Sequence, residues 1–118
     1  MKKPGILLVD DDKNTANGLR KILLQDGYDT SCVYTGNEAL DLIDTEHFDI
    51  VITDMKLPDV SGFSIIERVK KKDADIPVIM ITAFSSLQTA IDAMKKGADD
   101  YLTKPVNIEE LELILKKI

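Results

Sequence analysis

Three consecutive aspartates, Asp10, Asp11 and Asp12, follow the apolar run Ile6 to Val9, and a fourth, Asp54, follows Phe48 to Thr53. Thr82 ends the apolar run "PVIMI", and Lys104 follows "DYLT". Carboxylates, a hydroxyl and an ammonium at the ends of such runs suit metal-assisted phosphoryl chemistry. If the segments bearing Asp10, Asp11 and Asp54 lie side by side, carboxylates about 5 Å apart repel by roughly 3 kcal/mol per pair at an effective dielectric near 20. A hard divalent cation relieves that repulsion, and oxygen-only donors favour Mg²⁺, Mn²⁺ or Ca²⁺ over zinc. Lys104 and Thr82 would face the cation from the other side, offering a compact charge and a short hydrogen bond to a many-oxygened anion such as a phosphoryl group. An aspartate can itself be the nucleophile and form an aspartyl phosphate. Asp54, alone at the end of its run, is the candidate nucleophile, with Asp10 and Asp11 as cation holders. Asp12 stands one residue later and suits the acidic start of a helix.

Each residue also has a plainer use. An aspartate after a strand commonly caps a helix, Thr82 can be an ordinary strand residue, and Lys104 can be solvated. The weight lies in all of them obeying one geometric rule. In open α/β sheets, ligands bind beyond the carboxyl ends of the strands where strand order reverses. His47, beside a strand start, reads as structural or solvated. Cys32 reads as a small buried strand residue, and a single cysteine excludes an internal disulfide.

The elements that must position these groups alternate along the chain. "ILLV", "FDIVIT" and "PVIMI" read as strands buried on both faces, while the more polar "DTSCVYT" belongs nearer an edge and "DYLT" is a short fifth strand. Between them, Ala16, Leu19, Ile22 and Leu23 recur at helical spacing ahead of a Gly27 stop. Thr35 with Glu38 forms a capping box for a helix carrying Ala39, Leu42 and Ile43. Phe63, Ile66 and Val69 mark a third helix after the turn signals Pro58-Asp59 and Ser61-Gly62. Ser85 with Gln88 is expected to open a fourth, with Leu87, Ala90, Ile91 and Met94 on its packed side. Asn107 with Glu110 caps a fifth. Strands alternating with helices imply a doubly wound parallel α/β sheet built from right-handed crossovers.

At 118 residues the chain has the size of one domain, residues 1–118, and its net charge of −6 argues against direct binding of nucleic acid. No apolar run approaches the roughly 18 residues of a membrane span, and "MKKPG" lacks a signal segment. These features lead us to expect a cytoplasmic protein with no membrane partner. The last helix reaches "LKKI" without a glycine or proline stop, so we expect a domain excised from a longer regulator or a stand-alone one.

The segments "ILLVDDDKN", "DIVITDMKLPDVSGF", "PVIMITAFSS" and "GADDYLTKPVN" together resemble the signature blocks of bacterial response-regulator receiver domains, over essentially the whole chain. The resemblance implies the flavodoxin-like strand order 2-1-3-4-5 with five helices. It implies a phospho-accepting switch rather than an enzyme, acting by self-catalysed phosphoryl transfer with slow autohydrolysis. Asp54 would take a phosphoryl group from a phosphohistidine on a sensor histidine kinase or a phosphotransfer protein. Asp10, Asp11, Asp54 and the backbone carbonyl of Lys56 would hold Mg²⁺, or Mn²⁺. Thr82 would bond the phosphoryl oxygens and shift on activation. Lys104 would pair with the phosphoryl charge, ahead of a cis bond to Pro105. Tyr101 takes the aromatic switch position, though a half-buried strand tyrosine is its plainer reading. Lys56 and Phe84 stand where family members tune phosphoryl lifetime, and we expect both to shield the group from water. "AIDAMKKGADDYLTKP" resembles receivers of the nitrogen-regulator type, usually joined to an ATPase and a DNA-binding module. The face made by the fourth helix, fifth strand and fifth helix is the expected output surface, toward an effector domain or downstream protein. A homodimer through that face is one form the output can take.

A Mg²⁺-dependent aspartate phosphohydrolase is the competing reading. Asp10-x-Asp12 resembles its nucleophile motif and Asp99-Asp100 could supply its later acidic pair, but Asn14 departs from its pattern and the chain has no room for its cap domain. A receiver without phosphorylation and a flavin-binding relative of the same architecture are further alternatives. The first leaves the filled acidic positions idle, and the second lacks a phosphate loop after the first strand.

Overall fold

The computed structural model describes residues 3–83 and 86–118. Ten elements alternate in chain order: β1 (Gly5–Val9), α1 (Lys13–Gln25), β2 (Asp29–Val33), α2 (Gly36–Thr45), β3 (Ile50–Asp54), α3 (Gly62–Lys72), β4 (Val78–Thr82), α4 (Leu87–Lys95), β5 (Asp100–Thr103) and α5 (Ile108–Lys117). The five strands form one parallel sheet in the order β2-β1-β3-β4-β5. The expected order is therefore met, and the polar "DTSCVYT" segment is an edge strand.

The all-apolar strands explain the two layers. Side chains alternate across a strand, so Leu7, Val9, Val51, Val78 and Met80 pack under α2, α3 and α4 with Ala39, Ile43, Ile65, Ile66 and Val69. Ile6, Leu8, Ile50, Ile52, Ile79 and Ile81 face the other way, onto Ala16, Leu19 and Leu23 of α1 and Leu111 and Leu115 of α5. Most are fully buried, each contributing about 1.5–3 kcal/mol.

Helix starts follow their caps. Asp12 accepts from the Asn14 and Thr15 amides at 3.0 and 3.3 Å, which is its expected task at the head of α1. Thr35 accepts from the Glu38 amide at 3.3 Å, while its hydroxyl donates to Glu38 Oε1 at 2.9 Å. The glutamate thus answers the cap's side chain. Asn107 takes the Glu110 amide as expected. Gly27, at φ 97°, ends α1 in the left-handed region that a side chain disfavours.

Two expectations about α4 are corrected. Its capping box is made by Ser86 and Thr89, each side chain taking the other's amide; Ser85 lies outside the described residues, and the Gln88 amide group instead donates to Asp92. The supposed packed stripe faces outward: Leu87 is 79% exposed, Met94 49% and Ile91 38%, with Ala90 half-buried. The buried residue of the helix is Ala93. Helical spacing reveals a stripe but not whether the sheet beneath is wide enough to cover it, and α4 lies low on a small residue.

Candidate functional site

The chain passes from β1 to one edge of the sheet and returns to β3 on the other side, so the carboxyl ends of β1 and β3 form the switch point. Asp10 follows β1 and Asp54 ends β3. Val9 pairs with Thr53, and Asp54 with Ile81 of β4. Carboxylate oxygens of Asp10, Asp11 and Asp54 all lie within 4.8 Å of one another.

Each carboxylate is fixed differently. Asp10 is 2% exposed; one oxygen accepts the Asp12 amide at 3.0 Å and the other meets Lys104 Nζ at 2.9 Å. Asp54 is 6% exposed; Oδ1 accepts the Lys56 amide at 3.2 Å and Oδ2 takes Lys104 Nζ at 2.7 Å. Asp11 reaches solvent at the mouth. Burial pushes the Asp10 carboxyl above the ordinary aspartate range, against the pull of the Asp12 amide and of Lys104. Burial also works against the Lys104 ammonium, but its hydrogen bonds to Asp54 and Asp10 outweigh this and raise its pKa. The Asp12 carboxyl, bonded by the Thr15 amide and hydroxyl, is held low. It belongs to α1 rather than to the pocket.

Thr82 is fully buried at the end of β4, and its carbonyl accepts the Lys104 amide at 2.9 Å, which locks β5 beside it. The Lys104–Pro105 bond is cis, as expected. Asp11, Asp54, Lys56, Leu57, Pro58, Ala83 and Lys104 line a cavity of about 300 Å³ over the cluster. Three carboxylates around the Lys104 ammonium, with Lys56 at the rim, leave a net negative pocket whose free donors are carboxylate oxygens. The donors therefore fit a hard divalent cation. Phe84 lies outside the described residues. Tyr101 is half-buried, with its hydroxyl 3.1 Å from that of Thr89. His47 is exposed and lies beside Asp49. Cys32 is half-buried in β2, where burial raises its thiol pKa.

The acidic pair of the competing phosphohydrolase reading does not reach this pocket. Asp99 precedes β5 at the opposite end of the sheet, where it accepts from Lys70 Nζ at 2.8 Å and the Val78 amide at 2.7 Å.

Three residues support the site without a local signal of it. Asp59 reads in the sequence only as part of a turn, yet its carboxylate reaches the start of α2. Gly62 reads as a turn glycine, but a Cβ there would stand 2.2 Å from the Asp54 carbonyl oxygen. Thr89 contacts Tyr101, a pairing that no local pattern announces.

The family model for the response regulator receiver domain matches residues 6–116. The transcriptional regulatory protein ZraR of Salmonella typhimurium is 36% identical over 98% of this chain, which spans 26% of that relative's length. A CheY-like receiver domain from Methanospirillum hungatei is 34% identical with a TM-score of 0.93, covering 98% of this chain and 93% of that one. A Burkholderia pseudomallei response regulator, solved with a phosphorylated aspartic acid and a calcium ion, is 33% identical with a TM-score of 0.86 over 92% of this chain and 64% of its own. With the family model running from the first strand into the last helix, this chain belongs to the response regulator receiver domain family.

Proposed function

We propose that the chain is a phospho-accepting switch in which Asp54 receives a phosphoryl group from a phosphohistidine on a sensor histidine kinase or phosphotransfer protein. The observation that carries this reading is Asp54 itself. It is a buried carboxylate at the end of a central strand, gripped by Lys104 at 2.7 Å and open to a cavity shared with Asp11. An Asp54 oxygen attacks phosphorus in line. The new P–O bond forms as the P–N bond breaks, and the electron pair leaves on the imidazole nitrogen. Asp10, Asp11, Asp54 and the Lys56 carbonyl would hold Mg²⁺, or Mn²⁺ in its place, to neutralise charge on the transferring oxygens.

The chain's own groups do the rest. Lys104 exchanges a carboxylate partner for a phosphoryl oxygen, and the Thr82 hydroxyl bonds another. Tyr101 follows Thr82 inward, leaving its place beside Thr89 on α4. The exposed stripe of Leu87, Ile91 and Met94 lies on the same helix, which belongs to the face proposed for output to an effector domain, a downstream protein or a second copy. The Burkholderia relative's phosphorylated aspartic acid and calcium ion support the acceptor and cation assignments. The relatives named as transcriptional regulatory proteins, and the nitrogen-regulator resemblance, support an attached module that controls transcription in the cytoplasm. The described helices include none long and apolar enough to cross a membrane. Incubation with acetyl phosphate and Mg²⁺ should add one phosphoryl group per chain by intact mass. A chain that gains none contradicts the proposal.

A further inference from the structure

The loop from Met55 to Gly62 carries Lys56 and is tied at both ends. Its stem closes where the Gly62 amide donates to the Met55 carbonyl at 2.7 Å, and Lys56 pairs antiparallel with Ser61 just above. Its crest is held by a different element. Asp59 Oδ1 accepts the Gly36 amide at 2.7 Å and its own neighbour Val60's amide at 3.0 Å, while Oδ2 accepts the Asn37 amide at 2.8 Å. Gly36 and Asn37 are the first residues of α2, whose cap Thr35 takes the Glu38 amide. Two first-turn amides that Thr35 does not reach are thus satisfied by a carboxylate from another loop. Val60 reinforces the contact: a Cβ on Gly36 would fall 2.0 Å from Val60 Cγ2. Lys56 sits between the fixed stem and the fixed crest, and its amide already donates to Asp54 Oδ1 at 3.2 Å.

We propose that Asp59 is a positioning residue for the cation site: by pinning the loop crest to the start of α2, it holds the Lys56 carbonyl at the height where a cation shared with Asp10, Asp11 and Asp54 can use it. The proposal rests on reading that carbonyl as a cation ligand. Asp59 does not touch the cation. Without the anchor, the Met55–Gly62 hydrogen bond and the aspartates persist, but the Lys56–Ser61 pair above them is held from one side only, and its carbonyl gains a freedom that cation binding must remove.

The test is Mn²⁺ titration by electron paramagnetic resonance, which counts free ion, on wild type, Asp59→Ala, Asp59→Asn and Thr35→Ala. Asp59→Ala should weaken Mn²⁺ binding by about tenfold, the scale for losing a partner that orients a metal ligand. The Mg²⁺ concentration needed for half-maximal phosphorylation by acetyl phosphate should rise in parallel, with the rate at saturating Mg²⁺ preserved. Asp59→Asn keeps one acceptor oxygen for the α2 amides and should fall between the two, remaining informative if the alanine variant does not fold. Thr35→Ala weakens the same helix end without releasing the loop and should bind Mn²⁺ like wild type. Wild-type affinity in both Asp59 variants overturns the proposal. So does equal loss in Thr35→Ala, which would place the effect in α2 itself. Failure of the wild type to bind Mn²⁺ overturns the cation reading beneath it.

Discussion

Lys104 donates from Nζ to Asp54 Oδ2 at 2.7 Å, and the same ammonium lies 2.9 Å from Asp10 Oδ2. One lysine thus bridges the proposed acceptor and a proposed cation holder across the switch point, bringing a positive charge into the pocket from the residue after β5.

Removing that bridge leaves three carboxylates without an internal cation. Unpairing a fully buried charge costs about 3–5 kcal/mol; here Asp11 opens to solvent and the Lys104 side chain is 19% exposed. Lys104→Met should therefore lose about 2 kcal/mol in metal-free buffer. Mg²⁺ should then raise its melting temperature by more than it raises the wild type's, because the ion replaces the lost charge. Equal rises by differential scanning fluorimetry would contradict this.

Asp10 gives a pH-dependent expectation in EDTA. Its folded pKa is raised above 3.8, so its contribution to stability is present below that value and lost as pH rises through the folded pKa. At neutral pH the ionised group therefore works against folding. Asp10→Asn, whose amide oxygen can still accept the Asp12 amide, should melt higher than wild type at pH 7. The difference should shrink as pH falls toward 3.8. Melting curves across that range check the sign.

Mg²⁺ at roughly a hundred times its Kd should stabilise the wild type by about 2.7 kcal/mol through preferential binding to the folded state. Asp11→Ala should remove most of that gain. Asp11 is exposed and outside the Lys104 pairs, so the variant should fold normally without metal. A retained Mg²⁺ response would exclude Asp11 as a ligand.

How much of this was legible in the sequence varies with the range of the interaction. Strand ends announce themselves, because apolar runs such as Phe48 to Thr53 stop at polar residues, and the sheet's switch point then places Asp10, Asp11 and Asp54 without further information. Caps within one turn, such as Asp12 on Asn14 and Thr15, are equally local. Asp59 was illegible because its partners are the amides of Gly36 and Asn37, on a helix distant in sequence, and backbone amides carry no signature. The outward stripe of α4 was misread for the opposite reason. Its periodicity is plain, but the surface that would cover it is not encoded in the helix.

Gly62 packs against the acceptor strand so closely that a Cβ would stand 2.2 Å from the Asp54 carbonyl oxygen and 2.8 Å from Met55 Cα. Both are backbone atoms, so neither can swing aside. Gly62→Ala should cost about 1–3 kcal/mol, the usual scale of overpacking, and should slow phosphoryl acceptance at Asp54. Denaturant melts alongside acetyl phosphate uptake check both.

Lys56 separates carbonyl from side chain. Its backbone is the proposed ligand, while its exposed side chain lines the cavity mouth with Asp11 and Asp54. Lys56→Ala should therefore bind Mg²⁺ normally but lose its phosphoryl group several-fold faster. Unchanged decay after removal of acetyl phosphate would exclude shielding by this side chain.

The central claim is that Asp54 carries the phosphoryl group. Borohydride reduction converts an aspartyl phosphate to homoserine, so the acceptor can be read directly by peptide mass spectrometry after treatment with acetyl phosphate and Mg²⁺. Homoserine at position 54 in the wild type, with no product anywhere in Asp54→Ala, is the predicted result. Homoserine at position 10, or undiminished labelling in Asp54→Ala, would contradict it.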